Sequence, residues 1–358
     1  MAEVRAELRM GLVRAPIPQL PTLHQIVLPT PWDVGPVQIY LIEGDPLTLV
    51  DTGVRNAASR STLESALEVL GYGLGDVGRI VLTHYHGDHL GQARSIRQAG
   101  GGLEVQVHED DADMCESFSA ERDERIEGTE ALFREYGVPV DLRARQTEMR
   151  RRWASEDPLC DPTEVDVRLH HGDRISTKDF ELEVIHAPGH TAGHVLLYEE
   201  RSGTLLTGDH VMGNAVPFTD NFHLDGPPDP ADPLRRRPRF RGLPHYLASL
   251  RGLRGGSFRT ILPAHGGILE RPARAIDDAL LFYEVRVQRI ERALNRAARA
   301  TGEATAWEVW QCLFPKADPV TQMRTRMLMV IGALDVLESE GRLELRRRDD
   351  GVLVHRPL

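Results

Sequence analysis

The segment Thr83-His84-Tyr85-His86-Gly87-Asp88-His89-Leu90-Gly91 places three histidines and one aspartate within six positions. Residues 79–82, Arg-Ile-Val-Leu, precede it and are predicted to form a short buried strand, so these side chains lie where a strand ends. Neutral imidazoles and carboxylates are ligands of Zn²⁺ and similar ions, and they are seldom buried unpaired. If strand geometry persists, His84 and His86 project the same way, and Asp88 and His89 can turn toward a second ion. The segment therefore predicts a metal site and not merely a capped loop.

Length, charge and cysteine content limit the class of protein. A chain of 358 residues favours two domains, or one large domain with an appendage. The net charge of −11 argues against a protein that mainly follows phosphate backbones. Three widely spaced cysteines predict neither disulfides nor a thiolate zinc site, and they favour a reducing, cytoplasmic setting. No stretch is apolar enough to predict a signal peptide or a membrane span.

Strands, turns and helices alternate over the N-terminal part of the chain. Asp51 stands at the end of a predicted strand, and apolar residues at helical spacing follow it over 56–70. A helix is predicted over 90–99 and a strand over 105–107, with His108 at its end. We interpret His108 as a helix cap or surface residue rather than a ligand, because it stands by itself before three acidic residues. The first three strands are predicted at 24–28, 37–42 and 47–50.

Residues 112–166 differ in composition from the segments on either side. They contain many charged and few β-branched residues, including Arg150-Arg151-Arg152 beside Trp153, and they predict a largely helical insertion. Because the insertion lies between two strands of the core, it could fold over the metal site as a lid. A solvated helical excursion with no role in substrate binding is the equal alternative.

Three further potential ligands stand at strand ends. His190 follows the turn at Pro188-Gly189, which aims its imidazole rather than burying it along a strand. Asp209 ends the second strand of a hairpin-like pair, and His265 follows one more strand and precedes two glycines. The strands in this part of the chain are predicted at 166–169, 180–185, 194–198 and 203–206, and from residue 260.

The C-terminal section has a different pattern, in which three helices precede a hairpin that turns at Asp349-Asp350-Gly351. This is the order of a winged-helix module, so we predict domains at 1–270 and 271–358. A proline-rich stretch over 227–244 predicts an extended loop, and we interpret its Arg235-Arg236-Arg237 as solvated. The C-terminal elements are predicted at 272–299, 305–313, 321–340 and 342–355.

Five motifs, taken in order, resemble those of the metallo-β-lactamase superfamily over residues 20–270. They are Asp51 after an early strand, His84-x-His86-x-Asp88-His89, His190 in Pro-Gly-His-Thr, Asp209 in Thr-Gly-Asp-His, and His265 in Pro-Ala-His-Gly. The resemblance implies an α+β fold, the αββα sandwich, in which two sheets pack face to face with helices outside. The metal ions are then expected at the edge where the loops gather.

The resemblance also implies a role for each donor. His84, His86 and His190 would hold one divalent ion, Asp88, His89 and His265 would hold the other, and Asp209 would bridge both. The expected ion is Zn²⁺, with Mn²⁺ or Fe²⁺ as alternatives. Asp51 is expected to hold a ligating imidazole in the right tautomer, or else to cap a turn.

Differences from other branches of the superfamily narrow the activity. True β-lactamases generally carry Cys or Ser where Asp209 stands, so antibiotic hydrolysis is disfavoured. Flavodiiron proteins have Glu in place of His86, and glyoxalase II proteins end in a different helical tail. The mononuclear persulfide dioxygenases stay compatible with the ligand residues. The winged-helix-like tail most resembles that of the β-lactamase-like protein 2 group.

We therefore expect a hydrolase that uses metal-bound hydroxide on a small ester, thioester or lactone. Asp88 is the candidate to orient the attacking water and to pass a proton to the leaving group. The alternative is a metal-dependent endoribonuclease acting on single-stranded RNA, which the tail suggests. The acidic balance makes nucleic acid the less favoured partner, and the complete donor set disfavours a DNA-binding regulator.

Overall fold

The computed structural model describes residues 10–156, 159–228 and 230–358, and the chain divides into two compact units. The first unit comprises Met1–Ser119, Asp157–Pro217 and Leu253–Asp277, and the second comprises Ala120–Glu156, Phe218–Gly252 and Asp278–Leu358. Because both units are built from non-contiguous segments, the domain boundary near residue 270 stays a prediction.

Seven strands form the larger sheet of the first unit and lie side by side in chain order. They are β1 (Gly11–Val13), β2 (Leu23–Leu28), β3 (Val37–Ile42), β4 (Leu47–Val50), β5 (Val77–Val81), β6 (Glu104–His108) and β7 (Val167–Leu169). Neighbouring strands are antiparallel from β1 to β4 and parallel from β4 to β7. The parallel strands therefore end at one edge of the sheet, where β5 delivers the histidine-rich segment.

Five strands form the second sheet of the first unit. They are β8 (Arg174–Ser176), β9 (Glu181–His186), β10 (Val195–Glu199), β11 (Thr204–Gly208) and β14 (Thr260–Pro263), in the order β14-β11-β10-β9-β8. The pair β11 and β14 is parallel, so the loops that follow both strands start at the same edge of the sheet. Those loops carry Asp209 and His265.

The two sheets pack face to face, as alternate residues of β3 show. Ile39 and Leu41 belong to a core with the helices α1 (Ala57–Val69) and α3 (Ala93–Ala99). Tyr40 and Ile42, on the opposite face, pack with residues of β9 and β10 such as Val184 and Leu197. The predicted α+β sandwich is therefore confirmed.

The predicted helix over 90–99 is wrong in its extent. A short helix α2 (Gly87–Leu90) precedes α3, so Asp88 and His89 lie in a helical turn rather than in a loop. Between the two helices the backbone packs closely, since a Cβ on Gly91 would lie 2.5 Å from the carbonyl oxygen of Gly53. The predicted insertion is helical, beginning with α4 (Glu109–Glu116).

The second unit is mainly helical. The helices that lie in it or enter it are α5 (Phe118–Glu135), α6 (Val140–Ser155), α7 (Gly242–Leu253), α8 (Pro272–Ala297), α9 (Ala306–Leu313) and α10 (Met323–Ser339). It also has two hairpins, β12 (Asn221–His223) with β13 (Arg239–Arg241) and β15 (Leu343–Arg347) with β16 (Leu353–Pro357). The predicted order of three helices and a hairpin is present, and its assignment as a winged helix stays a prediction. None of the described helices is long and apolar enough to span a membrane.

The proline-rich stretch is more structured than predicted. Its end forms β13 and the start of α7 rather than an extended loop. Arg236 is not simply solvated, because it forms ion pairs with Asp232 (2.7 Å) and Glu338 (2.7 Å). Arg235 and Arg237 are exposed, as predicted.

Candidate metal centre

All seven predicted donors come together in the first unit, on loops or turns that follow four strands. His84, His86, Asp88 and His89 follow β5, whereas His190 follows β9, Asp209 follows β11 and His265 follows β14. Six of the seven side chains are buried, and His86 is half-buried. Long-range folding therefore gathers the donors that the sequence spreads over more than 180 positions.

One group consists of His84, His86 and His190, whose potential ligand atoms lie within 4.8 Å of one another. His84 Nε2 is 2.9 Å from His86 Nδ1. The rings of His86 and His190 are nearly perpendicular, with centroids 4.6 Å apart. Three imidazole nitrogens that converge in this way can hold one divalent ion.

A second group consists of Asp88, His89 and His265, again with ligand atoms within 4.8 Å. Nε2 of His265 is 3.2 Å from Asp88 Oδ2, and Nε2 of His89 is 3.7 Å from Asp88 Oδ1. A carboxylate with two imidazoles is also a suitable donor set for a divalent ion.

Asp209 lies between the two groups. Its Oδ2 is 3.4 Å from His190 Nε2, and its Oδ1 is 3.5 Å from His89 Nε2 and 3.6 Å from His265 Nε2. Both Asp209 Oδ1 and His89 Nε2 are buried, and neither has a hydrogen bond of normal geometry within the described residues. Buried polar atoms of this kind require a partner, so the residues present fit a site for metal ions.

Neighbouring charges shift the pKa values of His89 and Asp209 in the direction opposite to the effect of burial. Burial by itself would lower the pKa of His89, but the carboxylates of Asp51, Asp88 and Asp209 raise it well above its usual value. Burial would raise the pKa of Asp209, but His265, His89 and His190 hold it well below its usual range. Burial and neighbouring imidazoles lower the pKa of His84. The carboxylate of Asp209 is therefore ionised and available as a donor at neutral pH.

Asp51 holds the histidine-rich segment that follows β5. Its carboxylate accepts hydrogen bonds from the backbone N–H and the hydroxyl of Thr83, each at 2.8 Å, and lies 2.8 Å from His89 Nδ1. With Nδ1 bound to Asp51, Nε2 of His89 points toward the other donors. Asp51 has φ of 62°, an uncommon conformation that aspartate tolerates better than most residues.

Asp111 anchors the loop that carries His190. This fully buried side chain, in the first turn of α4, accepts hydrogen bonds from Thr191 Oγ1 (2.6 Å) and from the N–H of Gly193 (2.7 Å). A Cβ on Gly193 would lie 2.6 Å from the backbone nitrogen of Asp111, so only glycine permits this approach. Asp111 was not predicted as a functional residue, because in the sequence it is one of three acidic residues at the start of a helix.

Pro36, directly before β3, and two residues of β3 anchor the loop that carries His265. Nδ1 of His265 is 2.9 Å from the carbonyl oxygen of Pro36, and Gln38 donates to the carbonyl of Gly266. The hydroxyl of Tyr40 donates to the carbonyl of Pro263 at 2.8 Å. Only the alternation of β3 hinted at this role, since it places Gln38 and Tyr40 on the face toward the second sheet.

Two further histidines lie close to the donors and were missed as functional candidates. His194 is buried, and its Nε2 accepts a hydrogen bond from the N–H of Asp209 at 3.2 Å. His210 is also buried, and burial lowers its pKa to about 3. His210 stands directly after Asp209 in the motif Thr-Gly-Asp-His, and that position was the available signal, whereas His194 stands four positions after His190 and had no such signal.

His108 is a helix cap, as predicted, but it is not a surface residue. It is buried, and its Nδ1 accepts a hydrogen bond from the N–H of Asp110 at the start of α4. Burial and the imidazole of His186, stacked at 3.8 Å, lower its pKa to about 4, so the ring is neutral. His108, Asp110 and His186 could also hold a metal ion by distance, but Nδ1 of His108 is already occupied by the cap.

The sandwich fold and its gathered His and Asp donors place the chain among the metal-dependent hydrolases. The family model of the metallo-beta-lactamase superfamily matches residues 32–265, and the chain belongs to that superfamily. It is 29% identical to a probable metallo-hydrolase, YqjP, of Bacillus subtilis (strain 168), over 88% of this chain and 92% of the relative. It is 24% identical to a beta-lactamase-like protein 2 homolog of Drosophila melanogaster, over 89% of this chain and 88% of the relative.

Solved structures show the same fold. A metallo-beta-lactamase family protein from Thermus thermophilus superposes with a TM-score of 0.72 at 25% identity, covering 95% of this chain and all of that chain. A beta-lactamase domain protein from Burkholderia ambifaria has a TM-score of 0.71 at 19% identity, covering 98% and 97% of the two chains. The fold similarity extends well beyond the residues that the family model matches.

Proposed function

We propose that this metallo-hydrolase holds two divalent ions, Zn²⁺ in our assignment, and cleaves a small ester, thioester or lactone. The observation that supports two ions is the position of Asp209, whose two oxygens face different donor groups. His84, His86 and His190 would hold one ion, and Asp88, His89 and His265 the other. Divalent ions in these positions lower the pKa of water and polarise the oxygen of the attacked bond.

Asp88 is the proposed proton carrier. Burial would raise the pKa of its carboxyl group, but His89 and His265 lower it, so the group is ionised at neutral pH. An ionised carboxylate held 3.2 Å from His265 can orient an attacking water, accept its proton and deliver that proton to the leaving group.

Cleavage of RNA is the weaker candidate. The C-terminal hairpin carries Arg346-Arg347-Arg348, but Arg346 and Arg348 each lie 3.6 Å from a carboxylate oxygen of Glu303. The guanidinium of Arg347 donates to the carbonyl of Gly351. These contacts weaken the positive surface that binding to phosphate backbones requires. The three cysteines, all of them in described segments, form no disulfide bonds, which supports the proposed cytoplasmic setting.

The test combines metal analysis with a substrate panel. The purified protein should contain two equivalents of metal, and it should hydrolyse at least one of a nitrophenyl ester, a thioester and a lactone. Asp88→Ala should abolish turnover, whereas Asp113→Ala, at an exposed carboxylate on α4, should not. Cleavage of a short RNA by the wild type but not by Asp88→Ala, with all the esters inert, would replace the first function by the second.

A further inference from the structure

One face of α6 carries polar atoms without partners. Gln146 Nε2, Thr147 Oγ1 and Arg150 Nη1 are buried, and none of them has a hydrogen bond within the part of the chain that the structure describes. Gln146 is only 1% exposed. Residues three and four positions apart share a helix face, so Arg150 neighbours both of the others. Buried polar atoms almost always have partners, and three on one face need an explanation.

Arg150 differs from the other arginines of this helix. Arg143 is satisfied by the carbonyl of Val138 and the carboxylate of Glu130. Arg151 is 61% exposed and pairs with Glu127 at 3.2 Å. Burial and the positive charge of Arg324 together lower the pKa of Arg150 to about 9, against the opposing effect of Asp220. Arg150 is therefore a half-buried cation whose buried Nη1 has no hydrogen-bond partner among the described residues.

Asp220, the carboxylate that raises the pKa of Arg150, already forms an ion pair with another arginine. Asp220 is buried, and its Oδ2 lies 2.6 Å from Nη1 of Arg125, whose guanidinium also lies 4.1 Å from the ring centroid of Phe222. Arg324, in the first turn of α10, has a buried Nε that lacks a hydrogen bond within the described residues. Arg125 and Arg150 therefore share the influence of one carboxylate, and Arg324 adds a further positive charge near Arg150. A buried charge is costly unless it is paired.

We propose that Gln146, Thr147, Arg150 and Arg324 form a binding site for a small oxyanion, the phosphate or carboxylate group of a ligand. The polar atoms without partners include two guanidinium nitrogens, an amide nitrogen and a hydroxyl, and all of them can donate hydrogen bonds. Guanidinium groups match the geometry of phosphate and carboxylate oxygens. A metal cation would be repelled by the guanidinium groups, and an apolar ligand would offer these donors no acceptor. The site would give the helical insertion a role in ligand binding. From its composition, a solvated excursion without such a role was an equal alternative.

The proposal is tested by calorimetric titration of the full, metal-loaded chain with inorganic phosphate and with citrate, at constant ionic strength set by chloride. The wild type should bind at least one of the two anions saturably, and the preferred anion distinguishes a phosphate from a carboxylate site. Arg150→Met should weaken binding by about 10-fold to 100-fold, since it removes charged hydrogen bonds. Arg151→Met, one position along the same helix, should bind as the wild type does.

Thermal unfolding separates a ligand site from a structural arginine. Without added anion, Arg150→Met should unfold at the wild-type temperature or above it, because it removes a buried charge that has no partner. Gln146→Leu, of similar size, should weaken anion binding while the protein stays folded.

Three results would overturn the proposal. The first is that the wild type binds neither anion saturably. The second is that Arg150→Met binds with wild-type affinity, as expected if the anion occupied the metal centre. The third is a clear loss of thermal stability in Arg150→Met without anion.

Discussion

Replacing Asp111 by alanine should loosen the metal centre without touching a donor. The carboxylate of Asp111 holds Thr191 and Gly193, one and three positions after His190, at 2.6 and 2.7 Å. Each lost hydrogen bond to a charged group is worth about 1.5–3 kcal/mol, so the free energy of unfolding should fall by about 3–6 kcal/mol. Loss of a residue that orients a ligand typically reduces metal affinity about 10-fold to 100-fold. The first donor group, which contains His190, should therefore release its ion first.

The assay is competition for metal with a chromophoric chelator, followed by metal analysis of the protein. The wild type and Asp113→Ala should retain two equivalents at chelator concentrations that remove one equivalent from Asp111→Ala. Asp113 is the matched control because it lies on the same helix and is 74% exposed, pairing only with Arg168 at the surface. Asp111→Asn should behave in between, since an amide can accept from Gly193 and donate to the hydroxyl of Thr191.

Equal metal retention by Asp111→Ala and the wild type would refute the role of Asp111. Loss of both ions together would also count against it, because the hydrogen bonds to Thr191 and Gly193 join the carboxylate to the loop of the first donor group. If the wild type itself binds no metal, the proposed function fails instead, and the two failures are thus distinguishable.

Other perturbations should have specific outcomes. Chelation of the metals should lower the melting temperature of the wild type, because ions that bind only the folded state stabilise it. Gly193→Ala should lower the melting temperature by several degrees, because its Cβ would lie 2.6 Å from the nitrogen of Asp111, whereas Gly101→Ala, with no atom within 4 Å, should not. Burial lowers the pKa of His355 to about 4, so the unfolded chain binds the proton more readily. His355 should therefore contribute about 3 kcal/mol to the stability lost between pH 6.5 and pH 4, measured as the difference between the wild type and His355→Gln in urea titrations.

The sequence predicts those parts of the fold that depend on local patterns. The helix over 56–70 is confirmed as α1 because Asn56 caps it and apolar residues recur at helical spacing. The helix over 305–313 is confirmed as α9, which Thr305 and Glu308 cap reciprocally. The split between α2 and α3 was not predictable, because it depends on the approach of Gly91 to Gly53, which are distant in sequence.

The same distinction applies to the site. The donors could be listed because each follows a strand in a short motif with a polar residue that packing does not explain. Asp111, Gln38 and His194 could not, because their partners are 82, 228 and 15 positions away. An aspartate in the first turn of a helix is ordinary by itself. Only the folded structure shows that Asp111 is buried and accepts hydrogen bonds from the loop that carries His190.

The long-range contacts also show why the donors depend on the packing of both sheets. His190 and His265 follow strands of the second sheet. The loop of His190 is anchored by Asp111, which follows β6, and the loop of His265 is anchored by Pro36 and Tyr40 at β3, so both anchors belong to the first sheet. In the opposite direction, the N–H of Val195 at the start of β10 donates to the carbonyl of Thr83, directly before His84. Each sheet therefore fixes donors that the other one supplies. Asp51 and His194 hold donors of their own sheets, but the loops of His190 and His265 are also anchored by the first sheet. We therefore expect the complete donor set to form only when the sandwich closes.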